Sequence, residues 1–449
     1  MSNRLFGTDG MRGRAGEEPL TAATLERLGR ILGARLGGPG RAVLLGHDGR
    51  ESGEELTAAL VEGLNAAGCD ADVLGLAPTP AVMFLTGDGP YDAGVVVSAS
   101  HNPAEDNGVK LLGGDGAKLA DAEEEAIERA LRRGEPAAAA AVPGRRRRVQ
   151  AQVGDYLAWL RNTAFPDLDL RGWKVVLDAA NGAWSRLGPR VLQAFGAEVV
   201  PVNAAPDGRN INLDCGALHP QKVATAVVEH GACAGLSVDG DGDRGLIADG
   251  DGRVLDGDAI LAGLGRHMME RGELTGGTVV ATVMSNLALE QWLRAVGADL
   301  HRTPVGDRHV AAALREHGWC LGGEKSGHIL FGPEHDFRGD GLYTFLRVAQ
   351  ALVREGKALT EFAAGYADLP QTLLNLPARA RRPLAELPRL SAEIARLDRE
   401  MGPHGRSVVR FSGTELLLRI MVEGDSEELV EDAVSRLRAA AEADGILAE

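Results

Sequence analysis

Three stretches of the chain repeat one pattern, and that repetition constrains the fold more than any other feature. "RAVLLGHDGR...LNAAGCDADVLGLAPTP", "KVVLDAANGAW...LQAFGAEVVPVNAAPDG" and "TVVATVMSNLA...LRAVGADLHRTPVGDR" each read as strand, turn, helix, glycine, short polar step and second strand. The helices end in matching places, Leu64 to Gly68, Leu192 to Gly196 and Leu293 to Gly297. Each glycine suits a helix C-terminus that needs a left-handed residue. This is the βαβ signature of a mostly parallel sheet with covering helices, so the pattern predicts three related α/β domains. Each repeat then supplies one further short apolar run that ends in a polar loop: "GVVVSASHNP", "AGLSVDGDGDR" and "WCLGGEKSGH". Ligands of parallel sheets bind beyond the carboxyl ends of the strands, so three such loops can converge on one cleft.

The C-terminal stretch reads differently. In "PHGRSVVRFSGTELLLRIMVEG" two alternating strands flank "SGTE" as a hairpin. "SEELVEDAVSRLRAAAEADG" follows as an amphipathic helix with Leu429, Val430, Ala433, Val434 and Leu437 on one face. The predicted fold is therefore α/β: three domains with mixed, mostly parallel sheets (1–150, 151–252 and 253–368) and a smaller α+β domain (369–449), arranged around one central cleft. "EPAAAAAVPGRRRR", residues 135–148, reads as a solvated linker at the edge of the first domain, and "DGDGR" at 249–253 as a turn between domains.

Charge narrows the partners. The 48 Lys and Arg against 64 Asp and Glu leave a net charge of -16, which argues against nucleic acid or an anionic membrane as the main partner. An anionic substrate must then be held by local positive charge. No stretch approaches the roughly 18 unbroken apolar residues of a membrane helix, and "MSNRLFGTDG" lacks the apolar segment of a signal peptide, so a cytoplasmic protein is expected. Cys69, Cys215, Cys233 and Cys320 lack CxxC spacing and read as free thiols.

The loops carry the chemistry. In "SVDGDGDR", Asp239, Asp241 and Asp243 alternate with glycines that let the backbone curl, so three carboxylates can face one hard cation such as Mg²⁺. An EF-hand loop is excluded because the twelfth position from Asp239 is Gly250, where a bidentate Glu is required. Three carboxylates leave open positions on a cation, and Ser100 is the candidate to fill one. "SASHNP" does not match the GxSxG elbow of hydrolases. As a phosphoserine, Ser100 would offer oxygens to the metal and a phosphoryl group to a sugar hydroxyl, with His101, Lys110 and Arg12 stabilising the equatorial charge. "GGEKSGH" sets Glu324, Ser326 and His328 on alternating positions, a carboxylate, a hydroxyl and an imidazole suited to a ring of sugar hydroxyls. "RFSGTE" offers Ser412, Gly413 and Thr414 on a hairpin loop beside Arg410 and Arg419, the chemistry of a phosphate cradle. Moving a phosphoryl group between two positions of one sugar needs both a transfer site and such an anchor.

With those residues assembled, the whole chain resembles the α-D-phosphohexomutase superfamily, through "RLFGTDGMRG", "SASHNP", "DGDGDR", "GEKSGH" and "RFSGTE". "FGTDGMRG" and "NINLDCGALHP" favour its phosphoglucosamine branch over the phosphoglucomutase and phosphomannomutase branches. The resemblance implies that phosphorylated Ser100 gives its phosphoryl to glucosamine 6-phosphate. Glucosamine 1,6-bisphosphate then turns over in the cleft and acts as activator, and glucosamine 1-phosphate is left. It implies one Mg²⁺ on Asp239, Asp241, Asp243 and a Ser100 oxygen, and places Arg244 among the substrate-binding residues. Lys110 is the implied proton acceptor, with Arg12 and His101 supporting it. The alternatives are another phosphohexose mutase with the same machinery, or a non-catalytic phosphosugar sensor. A homodimer is left open. Lys325 stands where the glucosamine branch usually has glutamine, and Phe411 and Leu416 where many relatives have proline.

Overall fold

The repeat survives as one strand order used three times. In the first sheet Asp106–Gly113, Ala93–Val97, Ala42–His47 and Asp70–Leu76 lie side by side. In the second the same places are taken by Gly245–Asp249, Ala234–Val238, Lys174–Asp178 and Glu198–Val202, and in the third by Ile329–Phe331, Leu321–Gly323, Thr278–Thr282 and Asp299–Thr303. The last three strands of each set are parallel, and the first runs antiparallel to them. The chain is described by a computed structural model over residues 5–7, 9–134, 139–412 and 416–448.

Local chemistry accounts for this regularity. The helices Gly53–Ala66, Leu187–Ala194 and Leu287–Ala295 stop just before Gly68, Gly196 and Gly297, whose φ values of 92°, 94° and 82° are open to glycine without strain. The chain can then turn at once into the next strand. The unbroken apolar run Ala93–Val97 is buried throughout because helices cover both faces of its sheet. One large apolar core continues from the second sheet into the third and reaches the first, with Phe84, Tyr156, Trp159 and Tyr343 in ring contact at 4.8 to 6.1 Å between centroids. The cleft walls are thereby seated on common packing.

The fourth sheet is antiparallel, in the order Gln371–Pro377, Leu417–Gly424, Gly405–Phe411. Helices Pro388–Met401 and Glu427–Ala443 close its core with Leu390, Leu397, Val430, Ala433 and Leu437. The hairpin and the last helix match the sequence reading. The first strand and the earlier helix are additions that it lacked. Two readings are corrected. Arg146–Arg148 form an edge strand parallel to Ala71–Val73, not a solvated linker, because the open edge of Asp70–Leu76 offers unpaired backbone groups; arginines keep the new edge charged. Residues 249–253 turn between the antiparallel strands Gly245–Asp249 and Val254–Leu255 within one sheet, where Asp249 accepts the Arg253 N–H at 2.9 Å. Among the described residues no helix is long and apolar enough to cross a membrane, and the four cysteines are free thiols.

Candidate active site

Ser100 lies two residues past the Ser98 that follows strand Ala93–Val97, fully buried, with φ 53°. A left-handed serine costs about 1 kcal/mol or more unless its surroundings fix it. They do. Its N–H donates to Ser98 Oγ (2.8 Å), and that hydroxyl donates to Asp48 Oδ2 (2.6 Å). Its carbonyl accepts from Arg50 Nη2 and Asn212 Nδ2, each at 2.9 Å. Ser100 Oγ is left to meet the second sheet's loop, donating to Asp239 Oδ2 at 2.5 Å, with His101 Nδ1 3.4 Å away.

That loop begins where strand Ala234–Val238 ends. Gly242, at φ 75°, allows its curl, and a Cβ there would come within 2.1 Å of the Trp184 ring. Asp239, Asp241 and Asp243 are buried, and one ligand oxygen from each lies within 4.8 Å of the others. Asp239 Oδ1 accepts the N–H groups of Gly242 (3.1 Å) and Arg244 (3.2 Å). Asp241 Oδ1 and Asp243 Oδ1 are buried without a hydrogen-bond partner among the described residues. Burial, then the charges of Asp243 and Asp241, raise Asp239 well above the usual carboxylate range. Orphaned carboxylate oxygens crowded in a dry loop fit a hard cation such as Mg²⁺, which would satisfy those lone pairs and relieve the repulsion.

Around this cluster lies a ring of cations. Lys110, from the strand Asp106–Gly113, reaches Asp241 Oδ2 and Asp243 Oδ2 at 2.8 Å and Asp9 Oδ2 at 3.2 Å. Burial opposes its charge, but these three carboxylates outweigh burial and hold it well above the ordinary lysine value. Burial, then Arg244 and Arg12, push His101 down to about 4 and leave its imidazole neutral near pH 7. Arg12, His101, Arg244 and Asp9 line a cavity of about 350 Å³.

The third loop closes the ring. Gly327 turns at φ 90°, donating to Glu324 O at 3.0 Å, and its own carbonyl accepts the Gly245 N–H at 3.1 Å, which ties the loop to the second sheet. The loop is a tight turn and not an extended strand. His328 is buried, 4.0 Å from Asp243 and 3.6 Å from Asp307. Glu324 Oε1 accepts the Gly306 N–H at 3.0 Å, and Ser326 is exposed. Lys325 turns away toward Asp256 (3.4 Å), Asp258 (3.8 Å) and Asp368.

On the fourth sheet, Arg410 and Arg419 are cross-strand partners. Like charges directly opposite are unfavourable, and burial followed by the Arg419 charge lowers Arg410. Such a pair invites an anion. Ser412 is buried beside it and donates its N–H to Leu417 O at 2.9 Å. Gly413 and Thr414 lie outside the described residues.

Several participants escaped the sequence reading. Asp9 and Asp307 share Lys118, the latter at 2.7 Å, and Thr79 donates its hydroxyl to Asp241. Asp9 sits in "FGTDG" and Asp48 and Arg50 in "GHDGR", quoted runs whose acid or base was not asked for a partner.

Comparisons with known proteins identify relatives of the whole chain. Four phosphoglucomutase/phosphomannomutase family models match in order: alpha/beta/alpha domain I at residues 3–138, domain II at 155–252, domain III at 256–369 and the C-terminal domain at 373–440. The phosphoglucosamine mutase of Anaeromyxobacter dehalogenans is 44% identical, across 100% of this chain and 99% of that protein. That of Rhodospirillum centenum is 46% identical, across 99% and 96%. A phosphoglucomutase/phosphomannomutase family protein of Burkholderia thailandensis superposes with a TM-score of 0.83 at 27% identity, covering 98% of this chain and 97% of the other. Aspergillus fumigatus N-acetylphosphoglucosamine mutase, solved with GlcNAc-6P and magnesium, shares the fold with a TM-score of 0.66 at 19% identity, covering 98% and 96%. With matches along nearly its whole length and full-length relatives at this identity, the chain belongs to the phosphoglucomutase/phosphomannomutase family.

Proposed function

We propose that the chain is a phosphoglucosamine mutase, interconverting glucosamine 6-phosphate and glucosamine 1-phosphate through phosphorylated Ser100. The observation that carries this reading is Ser100 Oγ, 2.5 Å from Asp239 and held against three buried carboxylates. In the first half-reaction the bond from Ser100 Oγ to phosphorus breaks and a bond from the sugar's C1 oxygen to phosphorus forms. The hydroxyl proton passes to a basic group of the cleft, and glucosamine 1,6-bisphosphate results. After the sugar turns over, its 6-phosphoryl returns to Ser100 Oγ and the O6 oxygen recovers a proton. Asp239, Asp241 and Asp243, with a Ser100 oxygen, would hold Mg²⁺, which supplies Lewis-acid neutralisation of phosphoryl charge.

The chain's own groups do the rest. Arg12 and Arg244 offer guanidinium donors to phosphate oxygens at the cleft wall. Lys110 keeps its role as proton acceptor, but it must first shed the proton that Asp241, Asp243 and Asp9 hold on it. His101 and Arg12 support it. Glu324, Ser326 and His328 contact the sugar, and Arg410, Ser412, Gly413, Thr414 and Arg419 anchor the phosphate that is not reacting. The division at residues 150, 252 and 368 belongs to the same proposal, with one loop contributed by each part. So does cytoplasmic residence.

The test uses bisphosphate labelled in its phosphoryl groups. The parent should take label onto Ser100, and Ser100→Ala, melting like the parent, should take none and lose nearly all turnover. Near-normal activity of that variant would sink the mechanism. In coupled assays glucosamine phosphate should exceed glucose and mannose phosphate in kcat/KM, and a clear preference for mannose phosphate would overturn the sugar assignment.

A further inference from the structure

We infer that Arg50 and Asn212 form a two-sided clamp that sets the angle at which Ser100 gives and receives its phosphoryl group, making both positioning residues for the transfer. The inference rests on the phosphoserine reading and adds to it a cause for the alignment. Arg50 is buried, and its five N–H donors are all spent. Nε bonds Asp48 Oδ2 (2.8 Å), Nη1 bonds the carbonyls of Pro103 and Asp106 (the latter at 2.9 Å), and Nη2 bonds those of Ser100 (2.9 Å) and Asn102 (2.8 Å). One guanidinium thus fixes four carbonyls of the loop that carries the serine. No ammonium could do so, since lysine has three donors and no planar fork.

Asn212 comes from the other side. It belongs to the "NINLDCGALHP" stretch, next to the second sheet, and its own N–H donates to Ala180 O at 2.9 Å. Its side-chain amide donates to the same two carbonyls, Ser100 O (2.9 Å) and Asn102 O (3.1 Å). Each carbonyl therefore accepts from both the first and the second part of the chain, which uses both of its lone pairs. A loop saturated in this way cannot pivot without breaking a buried hydrogen bond. Ser100 also sits in the left-handed region, so a relaxed loop would re-aim its Oγ. Rigidity suits the chemistry. One oxygen must act as leaving group and later as nucleophile, so the sugar turns while the serine stays.

Asn212 itself has φ 56°, a conformation that Asn, Asp and Gly tolerate. Asn212→Asp keeps size and backbone but sets acceptors against two carbonyl oxygens, and Asn212→Gly removes the side chain with its amide while tolerating the same φ. The full-length parent, these two variants and Arg50→Lys are compared for KM, kcat, melting temperature and the rate at which labelled bisphosphate phosphorylates Ser100. Misplacing a reacting atom by an ångström costs on the order of 100-fold, so Asn212→Asp should lose about 10- to 100-fold in kcat and labelling rate, with KM within about two-fold. Asn212→Gly should lose less, and Arg50→Lys should follow Asn212→Asp. If a variant does not fold, the remaining ones decide. Labelling and kcat within about two-fold of the parent in both Asn212 variants would overturn the clamp, as would a loss carried by KM alone or a lowered melting temperature with normal labelling. Absence of label from the parent would overturn the phosphoserine reading and the clamp with it.

Discussion

Replacing Asp258 by asparagine should make the protein more stable than the parent at pH 8, and by a clearly smaller margin at pH 5. Asp258 is fully buried at the start of helix Gly257–Glu270, where its Oδ2 accepts the Asn286 N–H at 2.8 Å. Burial, then the neighbouring charge of Asp256, raise its carboxyl from 3.8 to about 7. An acid whose pKa is higher folded than unfolded binds more protons in the native state between the two values, so stability falls as pH rises through that window. Each pH unit of difference is worth about 1.4 kcal/mol, and from 3.8 to about 7 the sum is roughly 4 kcal/mol. The charge of Lys325, 3.8 Å away, is already contained in that value, so a variant gain of up to about 4 kcal/mol at pH 8 is expected.

The effect lies directly behind the sugar loop. Gly257 N–H donates to Lys325 O at 3.0 Å, and a Cβ on Gly257 would come within 1.9 Å of Glu324 O. Thermal melts of parent and Asp258→Asn at pH 5 and pH 8 make the comparison, with hydrogen exchange across helix Gly257–Glu270 as the local readout. A stability difference that is the same at both pH values would refute the reasoning, because only titration of Asp258 makes it grow with pH.

Lys325→Gln should destabilise the protein more at pH 8 than at pH 5. The Lys325 pKa is raised, so its stabilisation is present at every pH below the unfolded value of 10.5, and Asp256 and Asp258, both raised by burial, are more fully ionised at the higher pH. The order of sugar preference should survive this change, and coupled assays that reversed it would contradict the placement of Lys325 away from the cleft. Exhaustive chelation should abolish turnover and Mg²⁺ restore it, with Asp241→Asn weakening binding of the metal and cutting kcat; activity that survives chelation is incompatible with the acidic loop's role. Arg410→Ala should lower kcat/KM by about 10- to 150-fold and raise the requirement for added bisphosphate, since a looser anchor lets the intermediate escape; a variant equal to the parent in both would remove Arg410 from the anchor.

What could be read from the chain alone was what repeats or what carries its chemistry within a few residues. The helix-ending glycines at 68, 196 and 297 and the apolar runs before each loop were legible because backbone conformation and two-sided burial are local requirements. Asp239, Asp241 and Asp243 were legible because three carboxylates lie within five residues. Alternation at Glu324, Ser326 and His328 presumes a strand, and Gly327 makes a turn there instead. The reading failed at "RRRR", whose composition says solvated while the open edge of a neighbouring strand offers it hydrogen bonds. Strand Gln371–Pro377 went unread although "QTLLNLP" alternates, because its partner Leu417–Gly424 lies across an intervening helix and strand.

Asp9, Asp307 and Asn212 went unread for a different reason. Each meets a group brought from elsewhere in the chain. Lys118 is shared by Asp9 and Asp307, and Lys110 by Asp9 and Asp243, so loops of the first, second and third sheets neutralise one another directly. Taking one member from such a set leaves a buried charge without its partner, which typically costs about 3 to 5 kcal/mol, more than most packing changes. The identity of Asp307 is therefore dictated by a lysine 189 residues earlier in the chain, and that of Asn212 by two carbonyls 112 and 110 residues earlier. A cleft built between separate parts of a chain must carry such residues, because its cations would otherwise repel one another before any phosphosugar arrives to balance them.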